Sequence, residues 1–301
     1  MKEFKSFYKT VGGGEGQKCK YPTRLDTYGC GCQHDCAYCY AKSLLSFRKQ
    51  WNAKEPSVAN IKDIAKVIEK IPAGTIIRLG GMTDCFQPIE EEQKITYKTI
   101  ELLNKRRIGY LIVTKSALVA SDEYMAILDK DLAHIQITVT TLDDDFYTKR
   151  KYEKASLPSE RIEAIKKLQE ADYDVAIRLS PMIEEFMDFD KLNNLGIQKG
   201  IVEFLRINSW ISKWLRIDES KYTHHEGGYK HLSLEEKARI MSRIKIPELS
   251  ACEDVKRHYL YLRAKFNPNK EDCCNLRRSN SDNSLINSDI CSSNGKNDKV
   301  Y

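Results

Sequence analysis

Four cysteines fall within ten residues of this chain: Cys30, Cys32, Cys36 and Cys39, in the run "TYGCGCQHDCAYCYAKSL". Thiols at such density serve as disulfides, as zinc ligands, as a dithiol redox pair or as anchors of an iron–sulfur cluster. Disulfides need an oxidising compartment. The first residues, "MKEFKSFYKTVGGGEGQ", lack the apolar stretch of a secretion signal. No apolar run approaches the roughly 18–20 residues of a membrane span. The expected location is therefore the cytoplasm, where thiols stay reduced. Zinc prefers two ligand pairs separated by about a dozen residues or more. A thioredoxin-type pair would use "CAYC" alone and leave Cys32 without a task. Cys32, Cys36 and Cys39, at offsets of four and then three, fill three corners of a [4Fe–4S] cubane. Electron-transfer clusters take four thiolates, so three leave one iron open to a ligand.

Composition sets the frame around this motif. The chain has 301 residues, 31% charged and 41% apolar, as expected of a globular enzyme with one large domain or two small ones. The formal net charge of +6, from 49 basic and 43 acidic residues, permits a polyanionic partner without demanding one.

The elements that must position the thiols read as alternating strands and helices. A first strand is expected near Thr23–Tyr28, and others at "TIIRLGG" (75–81), "YLIVTKS" (110–116), "HIQITVTT" (134–141), "YDVAIRLSP" (173–181) and "IVEFLRI" (201–207). Between them, "IEEEQKITYKTIELLNKR" carries Ile95, Ile100 and Leu103 on one helical face. Ser121 suits the N-cap of "SDEYMAILDKD", and Ile162, Ile165 and Leu168 form a stripe. About six β/α units predict an α/β fold, a partial (β/α)6 TIM-like barrel with a helical C-terminal extension. Chemistry in such folds sits at the C-terminal ends of the strands, and the cysteine run directly follows the first. The expected organisation is a lead-in (1–24) with a Gly-rich turn at Gly12–Gly14, the barrel (25–216), the helical extension (217–275) and a disordered tail (276–301) rich in Ser, Asn and Asp.

The three-cysteine spacing, with Tyr38 before the last thiol and a strand before the first, resembles the radical S-adenosylmethionine (SAM) superfamily. Within it, "CQHDCAYCYA", "GGMTDCFQPIEEEQKIT", "IVTKS", "ITVTTLDDD" and "SLPSERIEAIKKLQEADYDVAIRLSPMI" are similar, in order, to motifs of the spore photoproduct lyase-like branch over roughly residues 25–207. The resemblance implies that SAM chelates the open iron. One electron from the cluster then breaks its S–C5′ bond, and the resulting 5′-deoxyadenosyl radical abstracts a hydrogen atom from a substrate. It implies an electron donor such as flavodoxin or ferredoxin. It places Tyr38 at the cluster, Thr83 and Asp84 at the SAM amino group, and Lys115 at the carboxylate. Thr140 and Thr141 fall at the end of the fourth strand, and Arg178 and Ser180 on the fifth. Lyases of this branch carry a hydrogen-donating cysteine three residues before the second-strand Asp. Here that position is Gly81, which argues against photoproduct repair and leaves Cys85 as the candidate replacement.

Other residues invite separate readings. In "DFYTKRKYEK" (145–154), Lys149, Arg150, Lys151 and Lys154 interleave with Phe146, Tyr147 and Tyr152, a pattern suited to nucleic acid through phosphate contacts and base stacking. A nucleic-acid base is therefore the leading substrate class, with a peptide or small molecule close behind. Cys252, Cys273 and Cys274, with Cys19 or Cys30 near, could ligate an auxiliary cluster or donate a hydrogen atom. Cys291 is read as a bystander, and His224 and His225, in "YTHHEGGYK", as part of a polar loop. The competing class is a non-catalytic, zinc-dependent nucleic-acid-binding module using Cys30, Cys32, Cys36 and Cys39.

Overall fold

The computed structural model describes residues 4–9 and 19–277. Gly12–Gly14, Cys291 and most of the expected tail lie outside the described residues. Eight strands form one sheet. An antiparallel edge strand β1 (Phe7–Lys9) pairs with β2 (Thr23–Leu25), so the lead-in is not wholly irregular. Next come a short antiparallel pair, β3 (Tyr28–Gly29) and β4 (Ser57–Val58), and helices α1 (Tyr40–Phe47) and α2 (Ile61–Ile68). The parallel series continues through β5 (Ile76–Leu79), β6 (Gly109–Thr114), β7 (Ala133–Thr138), β8 (Asp174–Met182) and β9 (Lys199–Phe204). Each strand neighbours the previous one of the series, in the order β1-β2-β5-β6-β7-β8-β9. That succession of crossovers curls a parallel sheet into an open barrel.

The helix expected over "IEEEQKITYKTIELLNKR" is two, α3 (Glu90–Gln93) and α4 (Ile95–Lys105), broken at Lys94 with φ of 53°. The cause is Glu90. Its buried carboxylate accepts the backbone N–H groups of Thr96 and Tyr97, both at 2.9 Å, and so caps α4 from the preceding turn. Ser121 caps α5 (Asp122–Met125) as expected. Two further helices follow, α6 (Asp144–Arg150) and α7 (Pro158–Glu170), and then α8 (Phe189–Asn193) and α9 (Ser209–Leu215).

The C-terminal extension is not purely helical. It contains a hairpin, β10 (His224–Glu226) with β11 (Tyr229–His231), then α10 (Leu234–Met241), β12 (Glu248–Ala251) and α11 (Lys256–Phe266). β12 joins β9 in parallel as the last strand of the main sheet. His224 and His225 thus sit in a strand rather than a loop.

Strand alternation separates two faces. Ile135, Ile137, Ile177 and Leu179 are buried among the core residues. Gln136, Thr138, Arg178 and Ser180 alternate with them, and Arg178 Nη1 donates to Gln136 Oε1 at 2.8 Å. The inner face of the barrel is therefore polar.

Candidate active site

Cys32, Cys36 and Cys39 lie on the loop between β3 and α1. The loop is shaped locally: Asp35 N–H donates to Cys32 O at 3.0 Å, Cys39 N–H to Cys36 O at 3.3 Å, and Asp35 takes φ of 46°. Cys39 caps α1, accepting Lys42 N–H at 3.4 Å. The segment after α6 clamps the loop from outside, through Ala37 N–H to Tyr152 O and Lys154 N–H to His34 O, both 2.7 Å.

All three thiols line one cavity with Tyr38, Thr83, Asp84, Lys115, Arg178 and Ser180. Burial pushes each thiol pKa up, so they stay protonated until a metal displaces the proton. Cys36 Sγ points to Glu153 Oε2 at 3.6 Å. Glu153 in turn pairs with Arg161 at 2.5 Å, and neither side chain exposes more than 1%. Arg161 also donates to Thr138 O at 3.0 Å and Ser156 O at 2.7 Å.

Asp84 is held by its neighbours. Its Oδ1 accepts Thr114 Oγ1 at 2.8 Å and Phe86 N–H at 2.9 Å, and its Oδ2 accepts Lys115 N–H at 2.7 Å. His34 Nε2 lies 3.2 Å from Oδ2 without hydrogen-bond alignment. Burial works to raise the Asp84 pKa, but the charge of His34 and these backbone donors outweigh it and hold the carboxyl below its usual range. Thr83 Oγ1 donates to Tyr28 O at 2.5 Å.

Lys115 Nζ donates to Ser180 O at 3.1 Å, lies 3.5 Å from Glu153 Oε2 and sits 4.9 Å above the Tyr38 ring. Desolvation lowers its pKa to about 7, against the opposing pull of Cys36, Asp84 and Cys39. Arg178 and Ser180 both bond Glu203 Oε2, at 2.5 and 2.9 Å.

Three expected residues fall outside the cavity lining. The fourth barrel strand ends at Thr138, which lines the cavity in place of its successors. Thr140 Oγ1 instead meets Tyr152 Oη at 2.9 Å, and Thr141 borders a separate cavity beside α6. Cys85 Sγ points to Leu25 O at 3.7 Å and is 1% exposed, packed away from the cavity. Gly81 does line it, but a Cβ there would overlap the Tyr8 hydroxyl. The basic segment is also altered: Lys149, Arg150, Lys151 and Lys154 are exposed, whereas Tyr147 and Tyr152 are buried. The rings serve the core, so base stacking is not theirs to offer.

Sequence reasoning missed Tyr40, Glu153, Arg161, Glu203 and Arg206. Tyr40 Oη donates to Gly81 O, and the Arg206 guanidinium lies 4.8 Å from the centre of the Tyr40 ring and pairs with Asp254. Only Tyr40, next to Cys39, carried a local signal.

The residues fit a cluster with an open iron. Two buried thiols, Cys32 and Cys36, and the half-buried Cys39 line a cavity with cationic and anionic side chains, and the buried Tyr38 hydroxyl has no hydrogen-bond partner. Among the described residues no three His, Cys, Asp or Glu side chains converge on one point, as a single zinc ion would require. A cubane takes each thiolate at a different iron and makes no such demand.

The chain thus carries a three-thiol loop, reached through β3, just beyond the first parallel strand of an open barrel. Residues 27–193 match the family model of the radical SAM superfamily, and the chain belongs to that superfamily. It is 29% identical over 177 residues to an uncharacterized protein of Methanocaldococcus jannaschii, a match spanning 58% of this chain and 65% of that relative. The chain thus matches just under two thirds of the relative's length. Among solved structures, spore photoproduct lyase complexed with dinucleoside spore photoproduct superposes with a TM-score of 0.56 at 18% identity, over 83% of this chain and 76% of that one. A double mutant of that lyase, with bound AdoMet and the same dinucleoside, gives a TM-score of 0.52 at 19% identity over the same shares. At these identities the shared property is the fold. No helix among the described residues is long and apolar enough to cross a membrane.

Proposed function

We propose that this chain is a radical SAM enzyme in which Cys32, Cys36 and Cys39 hold a [4Fe–4S] cluster with SAM on its free iron, and that its substrate is a nucleic-acid base. The observation that carries the reading is the placement of Cys32, Cys36, Cys39, Asp84, Lys115 and Arg178 around one cavity at the C-terminal ends of the strands. Bound there, the cluster would supply the one electron for reductive cleavage of SAM to methionine and a 5′-deoxyadenosyl radical, which would take a hydrogen atom from the substrate.

The chain's own groups prepare this chemistry. Asp84, ionised and anchored by Thr114, Lys115 N–H and Phe86 N–H, offers negative charge to an ammonium and fixes the turn that carries Lys115. The Lys115 ammonium is costly in its dry setting. An arriving carboxylate offsets that cost and favours its protonated form. Glu203 fixes the cationic head of Arg178 and the hydroxyl of Ser180, which suits recognition of a ribose or carboxylate. Tyr38 closes the side of the cavity beneath Lys115, and the buried wall excludes water from reactive carbon.

The nucleic-acid reading rests on the exposed cations of residues 149–154, a segment whose Lys154 N–H bonds the cluster loop at His34 O. These charges could seat phosphates beside the cavity mouth. Photoproduct repair is not part of the proposal, because Gly81 stands where a donor thiol is expected and the Tyr8 hydroxyl fills the space. The test is to reduce the protein anaerobically with SAM and deuterated candidate substrates. Deuterium in 5′-deoxyadenosine from DNA or RNA supports the proposal. Transfer only from a peptide or small molecule overturns its substrate half, and no 5′-deoxyadenosine overturns the whole.

A further inference from the structure

Four of the cysteines outside the loop come together, Cys19 from before it and three from the last quarter of the described residues. Cys273 and Cys274 are buried in a small cluster with Tyr21, Leu111 and Tyr259, and Cys19 and Cys252 pack against the same cluster. The Cys273 thiol is in hydrogen-bond contact with both Cys252 and Cys274, and Cys19 is close enough to Cys274 to feel its charge. The sulfurs come from three separate segments: the approach to β2, the residue after β12, and the irregular stretch after α11. Other groups join the same segments. Tyr21 Oη donates to Asp272 Oδ2 at 2.9 Å, Lys20 meets Glu271 at 3.1 Å, and Ser250 Oγ donates to Cys273 O at 2.5 Å.

Arginine side chains lie near these thiols. Arg24 and Arg178 are buried inside the barrel, and Arg78 is half-buried. Arg24 and Arg78 act on Cys19, and Arg178 on Cys252 and Cys274. Arg78 and Arg178 also line the SAM cavity. Four thiols drawn from three segments and sharing one small cluster form an arrangement that takes up a metal centre on losing their protons.

We propose that Cys19, Cys252, Cys273 and Cys274 hold a second metal centre, an iron–sulfur cluster that ties the chain's two terminal segments across the open edge of the barrel. Ligation converts the thiols to thiolates and releases their protons. A mononuclear zinc ion fits less well, because no three ligating side chains among the described residues converge on one point. Cys32, Cys36 and Cys39 share that property and fit a polynuclear cluster. This proposal is independent of the SAM chemistry above.

The test uses the full chain, reconstituted anaerobically with iron and sulfide. In a Cys32→Ala, Cys36→Ala, Cys39→Ala variant, iron and acid-labile sulfide should remain at about half the wild-type level, and adding Cys252→Ser and Cys273→Ser should remove them. Conversely, Cys252→Ser with Cys273→Ser alone should lose about half the iron while the remaining cluster's spectrum still responds to SAM. This second variant guards against misfolding of the first. Folded triple variant without iron, or with one zinc per chain in its place, overturns the assignment. So does full wild-type iron in the Cys252→Ser, Cys273→Ser chain.

Discussion

Glu153 joins the cluster loop to the barrel, and its removal has a calculable cost. Its Oε1 pairs with Arg161 Nη2 at 2.5 Å, and the two side chains are 0% and 1% exposed. At an effective dielectric near 20, charges that close attract by about 6–7 kcal/mol, much of it offset by the desolvation both groups have suffered. Replacing Glu153 with Ala leaves a buried guanidinium with its two carbonyl acceptors, Ser156 O and Thr138 O, and no counter-ion. The expected loss is about 3–5 kcal/mol in unfolding free energy. The assay is anaerobic urea denaturation of the metal-free protein followed by circular dichroism, comparing midpoints at constant slope. A Glu153→Leu, Arg161→Met double replacement should recover most of the loss, since a buried pair exchanged for apolar side chains of similar volume is often neutral. A cost under about 1 kcal/mol for Glu153→Ala, or a double variant no better than the sum of the singles, refutes the reasoning.

Further outcomes follow from the same contacts. Asp84→Asn keeps the shape but weakens three charge-assisted hydrogen bonds, so it should cost about 2–4 kcal/mol at neutral pH, measured by the same unfolding. Because the folded Asp84 titrates below 3.8, its contribution is present above the unfolded value and lost as pH falls through the folded one. The Asn variant should therefore lack that acid-side loss. Gly81→Ala should destabilise by about 1–3 kcal/mol through overlap with Tyr8, and Tyr8→Phe in that background should restore part of it. Burial first, then the charge of Lys237, push His258 down to about 4 from 6.5. The unfolded chain takes up more protons between those values, so stability should fall as pH drops from 6.5 toward 4. His258→Gln, followed by unfolding across that range, should flatten the dependence. If nucleic acid binds at residues 149–154, neutralising Lys149, Arg150, Lys151 and Lys154 should reduce the slope of log affinity against log salt by about 0.7–0.9 per lost phosphate contact. An unchanged slope places the contact elsewhere.

The three-thiol motif was legible because its spacing is local: the thiols, their turn and the helix that Cys39 caps occupy one continuous stretch. The six-strand series was legible because buried parallel strands such as "HIQIT" and "VAIRL" are continuous runs between helical stripes. What escaped reading depends on distant partners. Cys36 and Glu153 are 117 residues apart, and nothing in "KYEK" distinguishes a buried carboxylate from a surface one. The break at Lys94 follows from Glu90 turning inward, in a run of acidic residues that reads as solvated. β12, only "ELSA", is too short to carry a period and is held by its pairing with β9. The tyrosines of the basic segment alternate with cations in sequence, yet the helical turn of α6 sends Tyr147 inward, and Tyr152 follows into the same buried layer. Phe86, Tyr124 and Glu90 similarly close on each other from separate units.

The most direct measurement of the central claim is the yield of 5′-deoxyadenosine when the anaerobically reconstituted protein is reduced in the presence of SAM. The account predicts formation by the wild-type chain and none by Cys36→Ala. A wild-type protein that carries iron and sulfide yet never cleaves SAM, or a Cys36→Ala chain that cleaves it as well as the parent, contradicts it.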